Sequence, residues 1–186
     1  MTDDLQSTIA IVADALQTCG IEFMIVGSIA ALAHGRARST HDCDIVIDAG
    51  AAQLRRFTRT LPTDRFYVSE DAALEALSHE SQFIVLDLTS GWKIDLVIRK
   101  QRPFSATEFS RREHRTLLGR KLPVATVEDT IIAKLEWAKA VGGSARQLED
   151  VRELVASAAA PDRAYVESWI AELGLETLWS AVTDAG

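Results

Sequence analysis

The chain has 186 residues, of which 47% are hydrophobic and 25% are charged. These are the proportions of a globular protein whose hydrophobic core is stable without disulfide bonds or structural metal ions. The net charge is −7. Because an extended nucleic-acid groove needs a basic face, this charge argues against binding along a duplex, whereas gripping one RNA end through a local patch stays open.

The sequence carries no signal for secretion or for a membrane. Its first ten residues are acidic where a signal peptide would be basic, and no apolar run approaches the ~20 residues that span a bilayer. Cys19 and Cys43 form neither a CxxC pair nor a zinc spacing, so we expect buried thiols in a reducing compartment. A cytoplasmic protein with no membrane partner is expected.

The first two thirds of the sequence alternate between helix and strand patterns. Apolar residues recur every three or four positions over residues 4–19, which predicts an amphipathic helix. A strand over 22–26 runs into Gly27-Ser28. The other predicted elements are helices over 29–34, 50–61 and 71–79 and strands over 42–47, 82–88 and 92–98, the last two joined by a turn at Ser90-Gly91.

The last third of the sequence is predicted to be helical. Thr126 is a candidate N-cap for a helix that runs to about Ala140. A second helix is expected over 144–158 and one or two more over 163–182. The predicted organisation is an α/β core over 1–124 and a helical region over 125–186 that completes the site.

Residues 104–124 are predicted to be irregular, with arginine and lysine concentrated in 111–121. This basic segment fits either contact with an RNA backbone or a solvated loop.

Two carboxylates, Asp42 and Asp44, stand two residues apart on a predicted strand. Side chains at this spacing share one face, where they repel each other unless a cation lies between them. Because Mg²⁺ is held by one or two carboxylates together with substrate phosphates, the pair predicts a metal site. A solvated acidic loop leading into a strand is the alternative.

Asp95 lies in an apolar strand, Lys93-Ile-Asp-Leu-Val-Ile98, where an unpaired charge is costly. The alternation of a strand places Lys93, Asp95 and Val97 on one face. If this strand lies beside the Asp42–Asp44 strand, Asp95 completes a three-carboxylate cluster that could hold one or two Mg²⁺ ions. The alternative is a salt bridge from Asp95 to Lys93 or to a nearby arginine.

Gly27 and Ser28 lie where a strand meets a helix. Glycine lets a phosphate approach the backbone closely, and the serine hydroxyl with the helix N–H groups can bind phosphate oxygens. A plain turn at Gly27 and an ordinary N-cap at Ser28 would give the same pattern.

Taken together, Val26-Gly-Ser28, Asp42-Cys-Asp44 and Lys93-Ile-Asp95 resemble the signature of the DNA polymerase β-type nucleotidyltransferase superfamily. That signature is a hydrophobic strand, Gly-Ser or Gly-Gly, a spacer, Asp-x-Asp and a third carboxylate on a later strand. The resemblance implies a nucleotidyltransferase fold with a short mixed, largely antiparallel sheet flanked by helices. It also implies catalysis by Asp42, Asp44 and Asp95 with Mg²⁺ or Mn²⁺, and a nucleoside triphosphate as substrate.

A narrower resemblance concerns Arg38-Ser-Thr40-His-Asp42, which is similar to the Arg-x-Thr-x-Asp-x-Asp motif of the AbiEii-like branch of toxin and abortive-infection nucleotidyltransferases. It places Arg38 and Thr40 among the nucleotide-binding residues. It also implies a possible cognate antitoxin partner.

The helical half resembles the later Lys-Leu and Arg-x-x-x-Asp motifs of that branch at Lys134-Leu and Arg146–Asp150. The resemblance implies that Lys134 contacts nucleotide phosphates and that Arg146 and Asp150 line the nucleotide site, with Asp150 assisting catalysis. Physical alternatives are a solvated position for Lys134 and an i,i+4 ion pair between Arg146 and Asp150.

The function expected from these residues is Mg²⁺-dependent transfer of a nucleoside monophosphate to an acceptor hydroxyl. The acceptor could be an RNA end such as that of tRNA, a protein or a small molecule. Two alternatives remain at this point: a non-catalytic nucleotide- or partner-binding module of the same fold, and a metal-independent α/β protein.

Overall fold

A computed structural model describes residues 2–35, 42–156 and 161–183. Within those ranges the chain forms one mixed sheet with helices around it and a helical C-terminal part. The elements are α1 (Thr2–Thr18), β1 (Glu22–Val26), α2 (Gly27–Ala33), β2 (Asp42–Asp48), α3 (Ala51–Thr60), β3 (Phe66–Val68), α4 (Glu70–Ser78), β4 (Gln82–Asp87), β5 (Lys93–Ile98), α5 (Pro103–Arg111), β6 (Glu113–Leu117), β7 (Arg120–Val124), α6 (Val127–Ala140), α7 (Ala145–Val155), α8 (Arg163–Leu173) and α9 (Glu176–Thr183).

The sheet has the strand order β3-β4-β5-β2-β1-β7-β6. Four of its six strand pairs are antiparallel, while β2–β5 and β1–β7 are parallel. The mixed, largely antiparallel sheet expected from the sequence is confirmed. The strands β1, β2 and β5 lie side by side in the middle of the sheet. The C-terminal end of β1 therefore lies beside the N-terminal ends of β2 and β5.

The alternation within β2 and β5 separates a buried face from a polar one. Cys43, Ile45 and Ile47 on β2 are buried, as are their β5 partners Ile94, Leu96 and Ile98. The intervening residues of both strands face the opposite side, which is the side that lines a cleft. The predicted assignment of Asp95 to the face of Lys93 is therefore confirmed.

The prediction that residues 104–124 are irregular was wrong. They form α5 and the hairpin β6–β7, which turns at Leu118 and Gly119, both with positive φ. Pro103 at the start of α5 and Leu-Gly at the hairpin turn were the local signals that the charge pattern obscured.

The basic segment 111–121 is consequently neither a free loop nor a free cationic patch. Its arginines are engaged by carboxylates of the same chain, over distances of 2.5 to 3.3 Å. The pairs are Arg111 with Glu128 and Asp129, Arg112 with Glu22, Arg115 with Glu113, and Arg120 with Asp14.

Two groups of buried apolar side chains support the fold. The first lies between the sheet and the helices α1, α3 and α4, and it includes both cysteine thiols, Cys19 and Cys43, which are unpaired. The second joins α6, α7, α8 and α9, and Ala31 and Phe104 also belong to it. No helix in the described ranges is both long enough and apolar enough to cross a membrane.

The short strand β3 was not predicted. The residue before it, Arg65, is held by the buried carboxylate of Asp87. Asp87, at the end of β4, is fully buried and accepts hydrogen bonds from Thr8 Oγ1 at 2.6 Å and Arg65 Nη2 at 2.8 Å. Burial opposes ionisation, but these bonds and the N–H of Thr89 hold the pKa of Asp87 well below its usual range. Asp87 therefore contributes to stability at pH values above its unfolded pKa of about 3.9. This contribution is lost as the pH falls toward the lower pKa that Asp87 has in the folded chain.

Replacing Arg65 by Met should lower the free energy of unfolding by about 2 to 3 kcal/mol, because it leaves the buried Asp87 without its charged donor. Urea denaturation at neutral pH measures this. The control is Arg59→Met, which breaks the exposed pair with Glu70 and should cost less than about 1 kcal/mol. Equal losses in the two variants would contradict the role given to Asp87.

Candidate functional site

A cleft of about 840 Å³ opens between the strands β1, β2 and β5 and the helices α5, α6 and α7. Eight of the ten predicted site residues line it or pair with a residue that does. Those lining it are Gly27, Ser28, Asp42, Asp44, Asp95, Lys134 and Arg146, and Asp150 joins them through Lys134. Arg38 and Thr40 lie outside the described residues, so their predicted roles stay predictions.

The carboxylate cluster is set by the register of two parallel strands. Asp44 on β2 lies directly opposite Asp95 on β5, and Asp42 lies opposite Lys93. Asp95 is only 5% exposed, whereas Asp42 is at the exposed end of its strand. The predicted adjacency of the two strands is confirmed, because β5 pairs with β2 along its whole length, and it places Asp95 opposite Asp44.

The predicted alternative for Asp95 is also present, since Lys93 forms a salt bridge with it. The ammonium nitrogen lies 2.9 Å from Asp95 Oδ2 and 3.6 Å from Asp42 Oδ1. The other oxygen, Asp95 Oδ1, is buried and has no hydrogen-bond partner. The ion pair with Lys93 thus provides a partner for only one of the two buried carboxylate oxygens.

Asp44 is held in an environment that disfavours its charge. Burial first, and then the charges of Asp95 and Asp42, raise the pKa of Asp44 to about 6, although Lys93 and Lys134 act in the opposite direction. The same surroundings raise the pKa of the buried Cys43 thiol. An added cation would relieve this crowding of negative charge.

Gly27 is required at its position for steric reasons. It adopts φ +65°, directly after Val26, which pairs with Asp44 across the β1–β2 ladder. A Cβ at this position would overlap the carboxylate of Asp44. The glycine therefore lets the backbone of the strand–helix junction lie against Asp44.

Ser28 is not the N-cap of the following helix. The helix α2 begins at Gly27 with Val26 in the cap position, and Val26 makes no side-chain capping bond. The ordinary N-cap explanation for Ser28 was therefore wrong. Ser28 instead lines the cleft beside Asp42 and Asp44.

The helical side of the cleft contributes a buried ion pair. Lys134 on α6 is only 5% exposed and donates to Asp150 Oδ2 at 2.8 Å and to Gln147 Oε1 at 3.0 Å. The solvated position considered for Lys134 was wrong, because the contact of α6 with α7 encloses the side chain. Arg146, at the start of α7, is exposed at the rim of the cleft.

The sequence analysis missed the far end of the cleft, where α5 and α6 meet. Arg102 forms a two-point ion pair with Glu136, both bonds measuring 2.6 Å, and Trp137 is exposed there. Glu108 is buried nearby, and burial, followed by the charges of Asp129 and Glu136, raises its pKa to about 8 against the opposing effect of Arg102. Predicting a helix over 103–111 from Pro103 would have placed Glu108 on the buried face of that helix.

No family profile matches the sequence, and no curated protein sequence is similar to it. Solved structures, however, share its fold. ANT(2'')-Ia in complex with adenylyl-2''-tobramycin matches with a TM-score of 0.56 at 15% identity, over 98% of this chain and 98% of the other. The solution structure of the antibiotic-resistance factor ANT(2'')-Ia matches with a TM-score of 0.51 at 15% identity, over 100% and 94%.

A third similar structure is an antigenic nucleotidyltransferase-like protein from Paracoccidioides brasiliensis, with a TM-score of 0.55 at 18% identity over 82% of this chain and 74% of the other. At such identities the likeness concerns the fold. The chain therefore has the nucleotidyltransferase fold expected from its sequence. The narrower assignment to the AbiEii-like branch stays a prediction.

Gly27→Ala should destabilise the chain by more than the backbone strain alone. Gly91→Ala is the matched control, because Gly91 also has positive φ (+76°) but faces open space, so it reports only the strain of about 1 kcal/mol. Urea denaturation of both variants gives the difference.

A double-mutant cycle of Gly27→Ala with Asp44→Ala should then show coupling of about 1 kcal/mol or more, because shortening Asp44 removes the overlap. Additive effects of the two substitutions would mean that Gly27 does not support Asp44.

Proposed function

We propose that this chain is a nucleotidyltransferase that moves a nucleoside monophosphate from a nucleoside triphosphate to an acceptor hydroxyl in the presence of Mg²⁺ or Mn²⁺. The observation that carries the proposal is the pairing of Asp44 with Asp95 on adjacent parallel strands, directly beside the Gly27-Ser28 junction. The cleft around them reaches Lys134 and Arg146, so one site contains both carboxylates and cations.

The donors present fit a hard divalent cation. Carboxylate oxygens are the ligands that Mg²⁺ prefers, and Asp95 Oδ1 is a buried oxygen that lacks a partner. In the described ranges no three His, Cys, Asp or Glu side chains are arranged as a complete ligand set. The proposal therefore relies on substrate phosphates to complete the coordination, because Mg²⁺ commonly uses only one or two carboxylates.

In this proposal Asp44 and Asp95 hold the cation and Asp42 adds its carboxylate beside them; when bound, the cation would neutralise phosphate charge and favour ionisation of an attacking hydroxyl. Gly27 keeps the strand–helix junction against Asp44, where its backbone N–H groups bind the phosphates together with the hydroxyl of Ser28. Lys134 and Arg146 supply positive charge from the helical side. Arg38 and Thr40, which precede β2, are proposed to bind the nucleotide as well.

A carboxylate near the reacting hydroxyl would accept its proton. Asp95 and Asp150 are the two candidates, one from the sheet and one from α7. Each is held by a lysine, Asp95 by Lys93 and Asp150 by Lys134, so both are kept in a fixed orientation. Positioning and charge neutralisation then account for most of the rate enhancement.

For the acceptor, we favour a small molecule over an RNA end or a protein hydroxyl. The fold match extends over 98% of both chains in a structure whose ligand is an adenylylated aminoglycoside. The arginines of the basic segment, the residues considered for contact with an RNA backbone, are paired with carboxylates of the same chain. The AbiEii-like assignment, with a cognate antitoxin partner, is a further proposal that rests on the sequence motif.

The competing proposal is a non-catalytic module of the same fold that binds a nucleotide or a partner protein. Such a module would be stabilised by a nucleotide and Mg²⁺ without releasing pyrophosphate. The crowding of charge around Asp44 favours cation binding in both cases, so release of pyrophosphate is what distinguishes the enzyme from the module.

Asp44→Asn should abolish label transfer from α-³²P-labelled nucleoside triphosphates while the chain remains folded, because the amide removes a metal ligand and also relieves charge repulsion. Each of the four triphosphates is incubated with Mg²⁺ and a cell extract, and the label is then followed to RNA, protein or small molecules. We expect at least about a hundredfold loss relative to the unsubstituted chain.

The matched control is Asp48→Asn, at the far end of the same strand, where the carboxylate pairs with Arg99 on the surface. It should keep near-normal transfer. Label transfer by Asp44→Asn at the rate of Asp48→Asn would contradict the proposed metal site, and nucleotide binding with no transfer by any form would favour the module.

A further inference from the structure

Lys93 lies between two carboxylates of the cluster. On the β2–β5 ladder it is the direct partner of Asp42, and it precedes Asp95 by two residues on the same face of β5. Its ammonium contacts Asp95 Oδ2 at 2.9 Å and Asp42 Oδ1 at 3.6 Å. The register of the sheet, and not only the flexibility of a long side chain, therefore places a positive charge at this point.

The ammonium leaves one part of the cluster open. Asp95 has a side chain that is only 7% exposed, and its Oδ1 has no hydrogen-bond partner. A buried carboxylate oxygen without a partner is costly, so it points to a ligand that is not part of the chain. Asp44, which lies opposite Asp95, is the neighbouring carboxylate on the same face.

Charge balance connects these two observations. Asp42, Asp44 and Asp95 carry three negative charges when ionised, and the ammonium of Lys93 offsets one of them. Lys93 is thus the cation that directly contacts two of them, while Asp44 and the other oxygen of Asp95 are available to a divalent cation. A second divalent cation in this cluster would have to compete with the ammonium of Lys93 at Asp42 or at Asp95 Oδ2.

We propose that Lys93 is the built-in cation of this cluster, so that the site takes one divalent metal ion, at Asp44 and the free oxygen of Asp95, and Lys93 occupies the place of a second one. Lys93 is thus a positioning residue: it orients Asp95 and restricts how many metal ions bind. This inference rests on the proposed function only in assuming that the carboxylates bind a divalent cation.

Removing the ammonium should change metal binding even when no nucleotide is present. In Lys93→Met, Mn²⁺ should bind about tenfold more tightly at the first site, because a competing positive charge is gone, and a second Mn²⁺ per chain should appear. Electron paramagnetic resonance of free Mn²⁺ during a titration gives both the number of sites and their affinities. Without metal, the melting temperature of Lys93→Met should fall, and Mn²⁺ should restore it.

Two further variants act as controls. Lys93→Arg keeps the positive charge and should bind one Mn²⁺ per chain, which also keeps the test informative if Lys93→Met folds poorly. Lys100→Met removes an exposed lysine from another part of the same cleft and should behave as the unsubstituted chain does.

Three results would overturn the proposal. If the unsubstituted chain binds one Mn²⁺ and Lys93→Met binds one with the same affinity, Lys93 is only a surface ion-pair partner of Asp95. If the unsubstituted chain or Lys93→Arg binds two, the ammonium does not exclude a second ion. If no form binds Mn²⁺, either alone or with a non-hydrolysable triphosphate analogue, the metal site of the proposed function fails as well, so the two failures are distinguishable.

Discussion

The in-register pairing of two parallel strands, β2 and β5, is the constraint on which the rest of the site depends. It sets Asp44 against Asp95 and Asp42 against Lys93 on one face, while the alternate residues of both strands enter the core. A shift of one residue in either strand would exchange these faces and bury the carboxylates in apolar surroundings. The energy of the core therefore enforces the geometry of the charged cluster.

The negative charges on β2 and β5 repel one another, and two lysines of the surrounding structure reduce this repulsion. Lys93 contacts the cluster directly, whereas Lys134 acts from α6 and is itself held by Asp150. Even so, the pKa of Asp44 stays near 6. The chain thus positions the carboxylates without fully neutralising them, and the proposed cation site rests on this arrangement.

The sequence predicted the parts of this arrangement that depend on local pattern. Apolar alternation located β2 and β5, and the polar residues at their ends identified Asp42, Asp44 and Asp95. It also predicted most helices, since their apolar spacing and the Thr126 cap are local features; the side chain of Thr126 does accept a bond from the N–H of Asp129.

Other features depend on long-range contacts that a single sequence does not show. The β6–β7 hairpin was hidden because its arginines suggest a solvated loop, yet partners such as Asp14 and Glu22 lie far away in sequence. In the same way, Lys134 looks like a surface residue until α7 covers it. Glu108 was missed because the helix that buries it was not predicted.

The central claim is that Asp44 and Asp95 hold a divalent cation against a nucleoside triphosphate. The most direct test is anomalous X-ray diffraction from crystals grown with Mn²⁺ and a triphosphate analogue that has a methylene group between the α- and β-phosphorus atoms. The account predicts an anomalous peak beside Asp44 and Asp95 Oδ1, in contact with the phosphates. A bound nucleotide analogue whose Mn²⁺ lies away from both carboxylates would contradict it.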